Sequence, residues 1–287
     1  MARHWICALI TSVLVATAAQ ANAPIELART GKWNVDYDED SCHLSGVFGA
    51  GENFIAVRFT RYQPGDSFDL DLLGPPLLSS EPYSDLKVDF GPVENPHHVR
   101  TMNGSAGKMP FSNLGSQRLD DLKSDKDTTA MPPLTPEFEA SVATLTLRPL
   151  EGKTYRLLLG SMRTTMAAMR KCTDDLVHHW GFDQAALTAA RKQAAPLSSS
   201  DRWLTSHDFP VGLLFAGNNG IVHFRLDVNE QGKVAGCHIQ AETKPVGFAT
   251  TTCELLTKRA KFSPALDQQG QAIRSYYVNT VRWMNRG

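Results

Sequence analysis

The chain has 287 residues, 42% of them hydrophobic, with 29 Lys and Arg against 30 Asp and Glu. That length is enough for cores in two domains. No nucleic-acid footprint follows from a formal net charge of −1.

Arg3 and His4 lead into an apolar run from Trp5 to Ala19, and Ala19-Gln20-Ala21 supplies small residues around a cleavage point. The run is about 15 residues long, where a membrane span needs about 20, so residues 1–21 are predicted to be a secretory signal peptide. The mature protein would then start near Asn22 and reside in the periplasm as a soluble chain. The competing reading keeps this segment as an anchor.

Residues 22–193 are predicted to form a mainly antiparallel β domain with late helices, making the whole chain α+β. Trp33 to Tyr37, Phe54 to Tyr62 and Phe68 to Leu72 alternate apolar and polar residues, the period of half-buried strands. Ala143–Leu147 and Tyr155–Leu159 add two more strands, turned through Gly152. Between Leu72 and Ala143, Glu81 to Pro136 is rich in Pro, Gly, Ser and Asp and reads as loops and short edge strands. Met162, Met166, Met169, Cys172, Leu176 and Trp180 fall near one helical face, a spacing that suits core packing. Residues 184–193 continue as a second helical piece, and residues 194–200 read as a linker.

Residues 201–287 change pattern. Gly220 to Val228 alternates, Asn229-Glu230-Gln231-Gly232 turns, and Val234 to Ile239 alternates again, which predicts an antiparallel hairpin. Thr250 to Lys261 is helical, with Cys253, Leu256 and Ala260 on one face, until Pro264 stops it. Ile273 to Trp283 is long enough to lie beside the hairpin, completing a ββαβ unit.

Three motifs in this unit occur in a familiar order. Phe209-Pro210 precedes Ala216 and the Gly220 that opens the first strand; Asn229, Gly232, Lys233 and Val234 form the turn; Lys258 and Arg259 run into Phe262, Pro264 and Ala265. The segment from Ser206 to Trp283 resembles the C-terminal domain of the TonB family, although Ser206-His207-Asp208 replaces the family's Gln-rich lead-in. The resemblance implies an interaction protein that engages outer-membrane transport components, or another periplasmic protein, by strand addition. It places the peptide-binding edge on the last strand, at Ile273, Tyr276, Val278 and Thr280.

Cys7 lies in the predicted signal, so four cysteines remain for an oxidising compartment, with three possible pairings. The domain split selects Cys237–Cys253, strand to helix in the C-terminal unit, and Cys42–Cys172 in the N-terminal one.

No catalytic or cofactor-binding constellation emerges. Two S-x-x-K matches, at Ser84–Lys87 and Ser105–Lys108, lack their partner motifs. No cysteine or histidine spacing suits a metal, and the pairs His97-His98 and His178-His179 read as surface histidines. The chain is therefore expected to be a binding protein and not an enzyme. The alternatives are a membrane-anchored energy transducer, or an enzyme with its site in the N-terminal domain.

Overall fold

The computed structural model describes residues 23–285 apart from 78, 80, 93–94, 123–130 and 244. The predicted signal peptide lies outside the described residues. The N-terminal part holds ten strands: β1 (Ile25–Ala28), β2 (Asn34–Tyr37), β3 (Cys42–Phe48), β4 (Ile55–Arg61), β5 (Phe68–Leu73), β6 (Tyr83–Asp89), β7 (His97–Ala106), β8 (Met109–Gln117), β9 (Thr144–Pro149) and β10 (Tyr155–Leu158). Helix α1 (Pro136–Ser141) precedes β9, and α2 (Arg163–His179) and α3 (Gln184–Ala189) follow β10. The strands form one sheet in the order β1-β10-β9-β6-β7-β8-β5-β4-β3-β2, antiparallel except for β1 on β10. The sheet curls far enough for its first strand to meet its ninth, since Arg29 bridges Phe48 just beyond β1.

Alternation decides which face is core. Phe68, Leu70 and Leu72 of β5 turn inward and are buried, while Asp69 and Asp71 turn outward. Leu44, Phe48, Val57 and Phe59 join them, and α2 closes the sheet's concave side with Met166, Met169 and Cys172. Cys172 is disulfide-bonded to Cys42 of β3.

The prediction of loops and short edge strands across Glu81 to Pro136 is corrected here, because β6, β7 and β8 are long strands in the middle of the sheet. Their apolar pattern is sparse because polar groups replace it. Thr101 Oγ1 donates to Asn103 Oδ1, Ser112 Oγ donates to the same oxygen, and Asn113 Nδ2 donates to Asp71 Oδ1, so side chains near the strand pairings satisfy one another. His97, expected at the surface, is also corrected: its ring is 13% exposed and its Nε2 sits 2.8 Å from Gln117 Oε1.

The C-terminal part contains β11 (Ala195–Pro196), α4 (Val211–Phe215), β12 (Gly220–Val228), β13 (Val234–Glu242), α5 (Phe248–Arg259), β14 (Phe262–Ser263), β15 (Ala265–Leu266), β16 (Ala272–Ile273) and β17 (Ser275–Trp283). The central strand β12 has β13 and β17 on its two sides, both antiparallel, and α5 covers one face. Phe224, Leu226 and Val228 pack with Leu256, Ala260, Trp203 and Phe262 beneath that helix. The Cys237–Cys253 disulfide fastens β13 to α5. The segment expected as a linker is structured: Ala195–Pro196 pairs with Phe262–Ser263, and Leu197 N–H donates to Lys261 O.

The three motifs of the sequence have physical reasons. A side chain on Gly220 would place its Cβ 2.3 Å from the Phe248 ring, so the first strand can open beneath α5 only with glycine. Gly232 has φ +72 and its carbonyl accepts from Phe262 N–H, with Phe262 O only 2.0 Å from where a Cβ would be. The turn motif and the Phe262 motif are thus one contact. Arg259 at the end of α5 holds Asp208 with two hydrogen bonds, 2.7 and 2.8 Å long.

Candidate functional site

The outer side of β17 is the candidate site, and the hydrogen-bond phase of the sheet shows which residues form it. Ile221 of β12 turns both main-chain groups toward β13: its N–H donates to Thr243 Oγ1 and its carbonyl accepts from Thr243 N–H. Main-chain direction alternates along a strand, so Val222, Phe224, Leu226 and Val228 turn toward β17. In the unbroken β12–β17 register these residues face Val281, Asn279, Tyr277 and Ser275. Tyr276, Val278, Thr280 and Arg282 therefore point their N–H and C=O groups away from β12. The Thr280 N–H, left without a strand partner, is taken by Asn279 Oδ1 at 2.8 Å.

The side chains of that same set face the N-terminal sheet. The Tyr276 ring meets Trp180 and Phe182 edge-on, with 5.4 Å between centroids in each pair. Thr280 Oγ1 lies 2.9 Å from His223 Nδ1, and Arg282 Nη2 donates to Asn113 Oδ1. Arg282 reaches this acceptor over Gly115, where a Cβ would stand 2.1 Å from the guanidinium. Ile273 does not join this set. It belongs to β16, pairs with Ala265, and packs against the Val177, Phe182 and Leu187 cluster, because the extended run is interrupted at Arg274.

Beside these apolar contacts, the two parts meet through polar groups. The His223 ring stacks on Tyr62 at 4.0 Å with 17° between planes, and its Nε2 lies 3.5 Å from Asp69 Oδ2. Arg225 lies over Trp180 at 4.4 Å and near Asp40 at 3.7 Å. Gln240 is the extra residue where the β12–β13 register slips, and the bulge aims its amide at the carbonyls of Asp40 and Tyr62, 3.1 and 2.9 Å away. Burial, reinforced by Arg282, holds the His223 imidazole down at about 3, so the ring is neutral. Burial pushes Asp69 up to about 6, against the pull of Arg282. Burial also raises the Tyr276 phenol to about 12. This docking face was invisible to sequence reading; the signal for it was the set His223, Arg225 and Asp227 on the polar side of an otherwise apolar strand.

A cavity of about 220 Å³ lies where the outer side of β17 meets the N-terminal sheet, bounded by Val278, Thr280 and Arg282 on one side and by Gln63, Asp69 and Ser116 on the other. A second one, of about 250 Å³, continues along Ser275, Tyr276 and Val278 toward Gln63 and Ala194. Together they make a groove along the strand. Among the described residues no helix is long and apolar enough to cross a membrane.

Comparison with curated proteins and with solved structures returns no match. The family model described as Gram-negative bacterial TonB protein C-terminal matches residues 206–284. With two disulfides, this match points to a compartment outside the cytoplasm. Residues 206–284, with β17 at their outer edge, are a domain of the TonB C-terminal family, whose members engage outer-membrane TonB-dependent receptors.

Proposed function

We propose that this chain is a non-enzymatic binding protein of the periplasm, which takes an extended segment of an outer-membrane TonB-dependent receptor as an added strand along β17. Residues 1–21 are removed as a signal in this reading, residues 22–193 and 201–287 act as two domains, and the mature protein is soluble. The observation that carries the reading is the row of outward main-chain groups on Tyr276, Val278, Thr280 and Arg282, lying along an open groove. An unpaired strand edge is a template for another chain, and backbone hydrogen bonds supply affinity with little demand on sequence.

Proline tests the reading directly. Val278→Pro removes an outward N–H without touching the β12 ladder, whereas Val278→Thr keeps it. Binding to purified TonB-dependent receptors in detergent is expected to disappear in the first variant and persist in the second, with both folded by circular dichroism. A folded Val278→Pro protein that binds like wild type would exclude strand addition at this edge. Intact mass of the exported protein is expected to correspond to a start near Asn22.

A further inference from the structure

We propose that the cavity between β17 and the N-terminal sheet is a side-chain subsite for a basic residue, so that the segment added along β17 carries a lysine or arginine there. The inference rests on the strand-addition reading and gives the partner its chemistry. A residue added opposite Val278 or Thr280 shares the face of those side chains, because directly opposed residues in a sheet point the same way. That face is turned to the N-terminal sheet, and the cavity of about 220 Å³ lies on it.

Asp69 decides what the cavity takes. Its side chain is 13% exposed, and its Oδ2 is shut off from solvent and accepts no hydrogen bond among the described residues. The nearest basic side chain by distance is His223 at 3.5 Å, a ring that burial keeps neutral. Arg282, the cation bordering the cavity, gives its Nη2 to Asn113 instead. Asp71, which adds to the negative field, is already paired with Arg58 and Asn113. An apolar side chain entering here would leave Asp69 buried and unpaired, and an acidic one would bury like charges together, both costly outcomes. An ammonium or guanidinium donates to the open carboxylate and forms a charge-assisted hydrogen bond, the strong class of such bonds. The raised affinity of Asp69 for a proton is the same deficit seen from the acid side.

The N-terminal sheet thereby becomes part of the recognition surface. The test uses the full mature chain and three synthetic peptides of sequence acetyl-Ser-Val-Thr-Val-Xaa-Val-Thr-Val-Ser-amide, with Lys, Gln or Glu as the central residue. Calorimetry or fluorescence anisotropy at low salt is expected to give the Lys peptide about tenfold tighter binding than the Gln peptide, with Glu weakest, a ratio equivalent to about 1.4 kcal/mol. Asp69→Asn should bring the Lys-to-Gln ratio to about one, and Arg282→Gln, which removes the competing cation, should raise it. Equal binding of the three peptides, still abolished by Val278→Pro, would overturn the basic subsite while leaving strand addition in place. A Lys preference unchanged in Asp69→Asn would overturn the assignment to Asp69. Failure of all three peptides to bind would overturn both readings together.

Discussion

Replacing Gly232 by alanine isolates the contact that joins the hairpin turn to the chain after α5. Gly232 has φ +72, where an L side chain costs about 1–2 kcal/mol. Its added Cβ would stand 2.0 Å from Phe262 O and 3.0 Å from Phe262 C, both main-chain atoms that cannot rotate away. The strands must separate, and the Phe262 N–H to Gly232 O bond of 2.9 Å is lost, worth about 1 kcal/mol. The expected total is about 3 kcal/mol. Gly217 provides the control, since its φ is +70 but nothing lies within 4 Å of its Cβ position, so Gly217→Ala should cost the backbone strain alone. Urea unfolding of the two variants, followed by near-ultraviolet circular dichroism, should therefore separate them by about 1–2 kcal/mol. Equal destabilisation would show that the turn and the Phe262 segment are not braced against each other.

Three further outcomes follow from the structure. Non-reducing peptide mapping should recover Cys42 with Cys172 and Cys237 with Cys253, and changing both Cys237 and Cys253, 16 residues apart, to serine should cost about 3 kcal/mol by loop entropy. Trp283 Nε1–H donates to buried Thr252 Oγ1 at 3.1 Å, so Thr252→Val should cost about 1–3 kcal/mol in thermal or urea unfolding by stranding the indole donor. Asp69 titrates near 6 in the folded protein against an ordinary 3.8, so its ionised form opposes folding fully above pH 6, and that opposition fades as pH falls toward 3.8. Asp69→Asn should then be more stable than wild type at pH 8, with the advantage shrinking between pH 6 and 4. His223, held near 3 against an ordinary 6.5, works the other way: stability drains as pH falls below 6.5, and Asp69→Asn should expose that loss more clearly. A stability difference constant across pH would contradict the Asp69 assignment.

What was legible in the sequence was whatever one strand or helix could state alone. Val222, Phe224, Leu226 and Val228 alternate because only one side of β12 faces α5, and Phe68, Leu70 and Leu72 alternate for the corresponding reason in β5. The turn at Gly232 and the stop after α5 are local chemistry. Strands β7 and β8 escaped because their inward positions include Thr101, Ser112 and Gln117, whose hydrogen bonds replace apolar contact; a hydrophobic period cannot report them. Of the residues expected at the edge, Tyr276, Val278 and Thr280 lie on β17 and Ile273 lies on β16; nothing in the sequence marks the interruption at Arg274. The groove itself needed both sheets in place. Asp69 reads in sequence as an ordinary outward strand residue, and only the arrival of β17 over it turns a solvated carboxylate into a buried one.

The pattern of the two disulfides has a consequence for how the chain matures. Among the described residues each cysteine is joined to its neighbour in the sequence, Cys42 to Cys172 and Cys237 to Cys253, so the bridges follow one another without overlap. A chain oxidised progressively from its N-terminal side makes a native bond at each stage. On a chain cleaved near Asn22, Cys42 would be the one thiol ahead of Cys172, and oxidation that kept pace with emergence would consume that pair before Cys237 appeared. Either wrong connectivity requires a thiol to remain unreacted across the 64 residues between Cys172 and Cys237. Oxidation in that order would select the pairing that the two separate cores hold in place, and reshuffling would be a demand placed on protein that has been reduced and refolded as a whole.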